Sequence, residues 1–265
     1  MSLTAQDTMK LTKQILSAAR KRLLQMHYES GVGHIGGNLS CLDAMMLIFH
    51  EYLGSEDRFI LSKGHSAGAL YIALWSRKHL SEEALCTFHK DNTLLAGHPP
   101  ALAIKDILFA TGSLGHGLSL AAGTALAQQL KGQNGKVFCL TSDAEWQEGS
   151  TWEALIFACH HSLSNLTILV DHNNLQGFGC TSDVASMSPL AEKISGFDLS
   201  IQSINGHDLV AIRQALNAPA HKCRMIILET IKGHGVSFME NRMEWHYLPI
   251  NQEQFLQAVK EIDAQ

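Results

Sequence analysis

Two segments in the middle of the chain are almost entirely apolar. They are Lys136–Leu140, with the sequence KVFCL, and Leu166–Val170, with the sequence LTILV. A short run with apolar residues on both faces is typical of a parallel strand that is covered by helices on each side. The segment Thr151–His161 between them has a helical pattern, so this region predicts a βαβ unit.

Helical and strand-like patterns also alternate along the rest of the chain. Apolar residues at three- and four-residue spacing predict a helix over Thr8–Gln25. The remaining predicted helices run over Leu39 to about Tyr52, from His65 to about Arg77, from Gly115 to about Leu130 and over Leu209–Leu216; the remaining predicted strands are Arg58–Leu61, Asp198–Ile204 and Arg224–Leu228. This order predicts a single α/β domain over residues 1–265, a doubly wound and mostly parallel sheet with helices on both faces.

Composition excludes several classes of protein and adds one unusual feature. Charged residues make up 17% of the chain, which suggests that part of the surface is covered by another subunit. The net charge of −5 without a basic patch argues against nucleic acid, and no apolar run approaches the roughly 20 residues that span a bilayer. Six scattered cysteines and an N-terminus without an apolar signal segment predict free thiols and a cytoplasmic location. The 15 histidines are the unusual feature.

Oxygen-bearing side chains follow two of the predicted strands. Asp143 comes after Lys136–Leu140, and Asn173 comes after Leu166–Val170. Ligands of doubly wound domains bind at the carboxyl ends of the strands, and carboxylate and amide oxygens suit Mg²⁺. The alternative is that Asp143 caps the next helix and Asn173 forms a turn.

This pair resembles the thiamine diphosphate motif, which is Gly-Asp-Gly followed about thirty residues later by Asn-Asn. Over nearly its whole length, the chain also resembles the N-terminal, diphosphate-binding half of the transketolase family. The matching segments occur in family order: Gly33-His34-Ile35-Gly36-Gly37 with Leu39-Ser40, Ser62-Lys63-Gly64-His65, Gly97-His98-Pro99, Thr111 through Gly117, Asp143 through Gly149, Asn173-Asn174-Leu175, and Lys232 through Gly235 with Trp245-His246.

The resemblance implies a cofactor, a metal and an activity. Mg²⁺ would be held by Asp143, Asn173 and the carbonyl oxygen of Leu175. The cofactor would be thiamine diphosphate, and its contacts would be His65, Gly112, Ser113, Leu114, Asp143, Ala144 and Asn173. The implied reaction moves a two-carbon ketol unit from a ketose or ketose phosphate to an aldose.

Three further histidines would face the sugar. His34 and His246 would transfer protons, a role for which histidine is suited near neutral pH. His98 would hydrogen-bond the terminal hydroxyl of the donor. Glu148 resembles the acidic residue through which family members communicate across their subunit interface.

The chain departs from the family at one motif position. The usual Gly-Asp-Gly is here Ser142-Asp143-Ala144. The methyl group of Ala144 could crowd the cofactor, or an α-compatible backbone could tolerate it. The glycines at positions 36, 37 and 112–117 are expected to allow positive φ and close approach to a ligand.

The chain also ends after the first domain of the family. The pyrimidine-binding and C-terminal domains are expected on a partner chain, in an α₂β₂ assembly. Three alternatives remain. The first is another thiamine diphosphate enzyme, such as a 2-oxoacid dehydrogenase E1 subunit or a deoxyxylulose-phosphate synthase, and the second is a non-catalytic paralogue with a decayed site. The third is a His/Asp metallohydrolase, which only the histidine count suggests. The identity of the sugars is not encoded in any motif of this half.

Overall fold

The computed structural model describes residues 9–265. A parallel five-stranded sheet forms the centre of the protein. The strands are β1 Arg58–Leu61, β2 Val137–Ser142, β3 Leu166–His172, β4 Leu175–Gln176, β5 Gly179–Cys180, β6 Ser200–Asn205 and β7 Arg224–Glu229. The order in the sheet is β1-β2-β3-β7-β6 with all neighbours parallel, while β4 and β5 form a separate antiparallel hairpin. All five predicted strands are therefore present, and the predicted fold class is confirmed.

Helices cover both faces of the sheet. They are α1 Lys13–Ser30, α2 Ile35–Glu51, α3 Ala67–Ser76, α4 Glu82–Leu85, α5 Gly117–Leu130, α6 Gly149–His160, α7 Thr181–Ala185, α8 Leu190–Ile194, α9 Leu209–Asn217 and α10 Gln252–Asp263. Successive residues of β2 point to opposite sides, so Phe138 and Leu140 join a cluster with α1 to α3, whereas Val137 and Cys139 join one with α5 and α6. The strands are apolar on both faces because each face of the sheet packs against helices.

The first helix begins later than predicted. Thr8 lies outside the described residues, and α1 begins at Lys13 because the Thr12 hydroxyl caps it, accepting a hydrogen bond from the Ile15 amide at 3.2 Å. The helix continues five residues beyond the predicted end and stops at Gly31, which has a left-handed conformation with φ of 65°.

The second helix begins four residues earlier than predicted. Gly36 and Gly37 lie inside α2, so the expectation of positive φ is wrong at these two positions. The small size of Gly36 serves packing instead, because a Cβ atom there would lie 3.2 Å from the side chains of Lys232 and Trp245. At the start of α2 the residue with positive φ is His34, the N-cap, with φ of 65°.

Strands β2 and β3 each extend two residues beyond their predicted ends. Ser142 is in register with Asp171, so polar residues continue the ladder to the carboxyl edge of the sheet. All six cysteines are free thiols, as predicted. Among the described residues, no helix is long and apolar enough to cross a membrane.

Candidate active site

Asp143 lies directly after β2, at the carboxyl edge of the sheet. Its carboxylate accepts hydrogen bonds from the amide of Ala144 at 2.8 Å, the amide of Asn174 at 2.6 Å and the Thr181 hydroxyl at 3.3 Å. Burial raises the pKa of Asp143, and the negative charge of Asp171 adds a smaller increase. The bond to Asn174 joins the ends of β2 and β3. The capping alternative is thus also correct in part, since Asp143 caps the 3₁₀ turn Ala144–Gln147.

Asn173 is oriented by a second, fully buried carboxylate. Its amide nitrogen donates to Asp171 at 3.2 Å and lies 3.5 Å from the Ser40 hydroxyl. Its amide oxygen accepts from the Leu175 amide at 3.1 Å. The nitrogen therefore points towards acceptors inside the protein, and the oxygen points towards the loop 173–175 that follows β3.

Two buried lysines bring positive charge to this edge. Lys63 pairs with Asp171 and donates to the Gly37 carbonyl oxygen at 3.0 Å. Burial alone would lower the pKa of Lys63, but the Asp171 carboxylate outweighs it and raises this pKa above its usual value. Lys232 donates to the Leu175 carbonyl oxygen at 3.2 Å and lies 3.0 Å from Nδ1 of His246. Burial, together with the charge of Lys63, lowers the pKa of Lys232 to about 8.

The four histidines singled out by sequence lie together. The ring of His34 is centred 5.6 Å from that of His65, 6.4 Å from that of His98 and 4.9 Å from that of His246. The rings of His65 and His246 are 5.5 Å apart. Four loops that are distant in sequence therefore meet beside Lys232.

Burial keeps these histidines uncharged near neutral pH. It lowers the pKa of His34 to about 4, with smaller effects of His98 and Lys232, and the pKa of His246 to about 3, with smaller effects of Lys232 and His34. Burial also lowers the pKa of His98 and, well below its usual value, that of His65. A neutral imidazole offers one donor and one acceptor nitrogen, and Nδ1 of His34 is buried without a hydrogen-bond partner among residues 9–265.

The loop that carries Gly112, Ser113 and Leu114 approaches the histidines closely. Gly112 has φ of 148°, and a Cβ atom there would lie 2.8 Å from the His98 ring. Ser113 is exposed and Leu114 is half-buried. Positive φ is thus confirmed at Gly112, where the backbone needs both the conformation and the space, and at Gly115, with φ of 84°. The expectation is wrong at Gly117, which is the first residue of α5 and does not have positive φ.

Ala144 occupies the position of the second motif glycine without backbone strain. It begins a 3₁₀ turn and does not have positive φ. Of the two alternatives left open by sequence, this geometry favours the tolerant backbone. The side chain is 8% exposed and belongs to neither hydrophobic cluster.

Four residues of this site were not predicted from the sequence. Glu145 is fully buried and accepts from the Ser62 hydroxyl at 2.5 Å, the Gly115 amide at 3.0 Å and the Ser142 amide at 2.8 Å, so it joins three site loops. The others are Lys63, Asp171 and Lys232. Their only sequence signal is a charged residue inside a motif or directly after an apolar strand.

One histidine cluster lies outside this site. Asp43, His207 and His234 are close enough to share a metal ion in the part of the chain that the structure describes. Asp43 pairs with Arg20 at 2.5 Å, and both ring nitrogens of His207 are hydrogen-bonded, Nδ1 to Asp43 at 2.9 Å and Nε2 to the Ile231 amide at 2.9 Å. Nδ1 of His234 is the member of the cluster that has no hydrogen-bond partner among the described residues. This arrangement gives no support to a metallohydrolase site.

Comparisons with known proteins agree with this geometry. The family model for the thiamine diphosphate-binding domain of transketolase matches residues 12–263. One subunit of an apulose-4-phosphate transketolase from Phocaeicola vulgatus is 33% identical, over 92% of this chain and 90% of its own length. The 6-deoxy-6-sulfo-D-fructose transketolase subunit SqwG from a Clostridium species is 34% identical, over 93% of this chain and 94% of its own length.

Solved transketolases share the fold but are longer. The enzyme from Campylobacter jejuni superposes with a TM-score of 0.81 at 26% identity, covering 96% of this chain and 43% of that one. The enzyme from Leishmania mexicana superposes with a TM-score of 0.83 at 22% identity, covering 96% and 42%. The chain belongs to the transketolase family and corresponds to its thiamine diphosphate-binding N-terminal part, a part that two relatives carry as a separate subunit.

Proposed function

We propose that this protein is the N-terminal subunit of a thiamine diphosphate- and Mg²⁺-dependent transketolase of the cytoplasm. It transfers a two-carbon ketol unit from a ketose, or a ketose phosphate, to an aldose. The observation that carries this proposal is the convergence of His34, His65, His98 and His246 beside the buried polar edge of the sheet. The names of the relatives suggest a specialised sugar as donor, either phosphorylated or sulfonated.

Mg²⁺ is held by Asp143, the amide oxygen of Asn173 and the carbonyl oxygen of Leu175. These are hard oxygen donors on adjoining strand ends, and Mg²⁺ binds to few protein ligands while phosphate and water complete its octahedron. Asp171 supports this role because it holds the nitrogen of the Asn173 amide and thereby turns the oxygen, which accepts from the Leu175 amide, towards the loop that carries Leu175. Lys232 donates to the Leu175 oxygen, so Mg²⁺ would replace this hydrogen bond when it binds to the same oxygen.

The surrounding residues fit thiamine diphosphate. The positive charge of Lys232 complements a diphosphate, and His65 lies close enough for this charge to lower the pKa of its imidazole. The Gly112 backbone lies against Gly64 and the His98 ring. Bound there, the cofactor supplies a carbanion that the side chains of a protein do not provide. The buried Nδ1 of His34 has no partner within the described residues and is free to bond a ligand.

The histidines handle protons for the sugar. His34 and His246 are neutral at pH 7, and each is proposed to accept a proton from a sugar hydroxyl and to return it in the next step. Their lowered pKa values make both imidazoles weak bases, so the return of the proton is the favoured direction. His98, at the edge of the group, hydrogen-bonds the terminal hydroxyl of the donor. Because the rings of His34 and His246 are only 4.9 Å apart, protonation of one raises the cost of protonating the other.

A partner chain completes the enzyme. The relatives that are named as transketolase subunits imply a second polypeptide, which we propose carries the pyrimidine-binding and C-terminal domains in an α₂β₂ assembly. Glu148, exposed at the start of α6, is proposed to lie at this interface. Ile156 and Phe157 on the same helix are exposed, which supports coverage of this surface.

The test combines binding and reconstitution. Calorimetric titration of the reconstituted complex with thiamine diphosphate is expected to show Mg²⁺-dependent binding that Asp143→Asn abolishes and Asp198→Asn, at an exposed ion pair, preserves. The complex is expected to transfer ketol units, and the chain alone is not. Binding without transfer in the complex would favour the non-catalytic paralogue, and zinc in place of Mg²⁺ would contradict the metal assignment.

A further inference from the structure

Tyr247 follows His246 and lies where three segments of the site meet. Its hydroxyl donates to the Gly177 carbonyl oxygen in the β4–β5 hairpin at 3.0 Å. Its ring is centred 4.7 Å from that of His246 and 6.4 Å from that of His34. We propose that Tyr247 is a specificity-determining residue, which forms one wall of the channel through which the sugar reaches these two histidines. This inference rests on the proposed function.

Two glycines provide the space that this tyrosine needs. A Cβ atom at Gly33 would lie 2.2 Å from the Tyr247 carbonyl oxygen. A Cβ atom at Gly177 would lie 2.2 Å from the Tyr247 hydroxyl and 3.4 Å from Nε2 of His246. The loop before His34 and the hairpin after Leu175 therefore both close on Tyr247, which links the proton-transferring histidines to the segment proposed to hold Mg²⁺.

The hydroxyl bond fixes the ring while leaving its surface accessible. Tyr247 is 53% exposed, although its hydroxyl is bonded to the hairpin. A side chain that is tethered at its tip loses rotational freedom before a ligand binds, which lowers the entropic cost of ligand contact. A ring held in this way offers a rigid apolar surface beside the histidines.

The chemistry of this wall selects for the carbon chain of the sugar. An aromatic ring binds the C–H groups of a sugar by dispersion and has no charge for a phosphate or sulfonate. Leu248, the next residue in the chain, is 49% exposed and adds a second exposed apolar side chain to this segment. The wall is therefore expected to contact the carbons of an aldose acceptor that is long enough to extend past His34 and His246.

The experiment uses the complex reconstituted with the C-terminal subunit and compares glycolaldehyde with a five-carbon aldose phosphate as acceptors. Tyr247→Gly is expected to lower the preference in kcat/KM for the five-carbon acceptor about 3- to 10-fold, the effect of one aromatic contact, with the change mainly in KM. Tyr247→Phe keeps the ring and is expected to keep most of the preference. A preference within about 2-fold of wild type in Tyr247→Gly would overturn the inference.

A second measurement tests the tether without catalysis. In Tyr247→Phe, the amides of residues 177–180 are expected to exchange hydrogen about 2- to 10-fold faster, as loss of one hydrogen bond predicts. Unchanged exchange would refute the tether.

The matched control is Tyr52→Phe. Tyr52 also donates to a backbone carbonyl, that of Arg213 at 3.4 Å, and it follows the far end of α2, about 25 Å from His34 along the helix. It is expected to alter neither readout. Wild-type complex that shows no ketol transfer at all would overturn the proposed function together with this inference, whereas an active wild type with an unaffected Tyr247→Gly overturns the inference alone.

Discussion

Replacing Asp171 by asparagine is expected to destabilise the whole domain and the metal site with it. The Asp171 side chain is fully buried. Its Oδ1 accepts from the Thr230 hydroxyl at 2.5 Å, and its Oδ2 accepts from the Ser40 hydroxyl at 2.6 Å, the Asn173 amide at 3.2 Å and the Lys63 ammonium. An amide has only one acceptor oxygen, so Asp171→Asn places an N–H₂ group against donors at one of these two positions.

The magnitude follows from the charge that is left behind. Lys63 is 1% exposed, and loss of its partner leaves an ammonium buried without an opposite charge. Breaking a buried ion pair on one side costs about 3–5 kcal/mol of the free energy of unfolding. For a domain of this size, that corresponds to a decrease in Tm on the order of 10 °C.

Urea denaturation followed by circular dichroism measures this loss. The control is Asp198→Asn, which breaks the exposed pair with Lys222 and is expected to cost less than about 1 kcal/mol. The double variant Lys63→Met with Asp171→Asn is expected to regain part of the loss, because no unpaired charge remains. A single variant Asp171→Asn within about 1 kcal/mol of wild type would refute the reasoning.

The sign of the pH dependence follows from the same pair. Although burial alone would raise the pKa of Asp171, Lys63 lowers it below its usual value. The stabilisation is therefore present above the unfolded pKa of about 3.9 and is lost as the pH falls through the folded value.

Three further predictions concern the site itself. In NMR titrations, His34 and His246 are expected to stay neutral from pH 5 to 8. His172 is expected to titrate above its usual pKa, because its imidazole is hydrogen-bonded to Glu229. Protonation of His34 at pH 6 would contradict the argument that burial lowers its pKa. Ala144→Gly is expected to change the Kd for thiamine diphosphate by less than about 3-fold, since Ala144 has no positive φ, and a larger gain in affinity by calorimetry would show that the methyl crowds the cofactor. Affinity for the diphosphate is expected to fall as the pH rises above about 8, where Lys232 loses its charge. Lys232→Met is expected to weaken binding about 10-fold or more and to abolish this pH dependence. If the variant keeps the pH dependence, another group is responsible for the titration.

The sequence by itself determined the architecture and the position of the site. The apolar runs at β2 and β3 mark strands that are covered on both sides, because only such strands need apolar residues on both faces. Residues that follow parallel strands meet at one edge, and this places Asp143 near Asn173. The four histidines were found through their motifs, since no periodic pattern connects positions 34, 65, 98 and 246.

Only the tertiary structure decided how these residues work together. The motif cannot reveal that Lys232 contacts the Leu175 carbonyl, because this bond joins residues 57 positions apart. Asp171 is only two positions from Asn173, but it is held by Ser40 and Lys63, which lie more than 100 positions away in the sequence. The tertiary structure also explains the glycine at position 36 of α2, because Trp245 and Lys232 leave little room there for a side chain. The lowered pKa values of the histidines have the same origin, because desolvation is a property of the folded environment and not of the residue type.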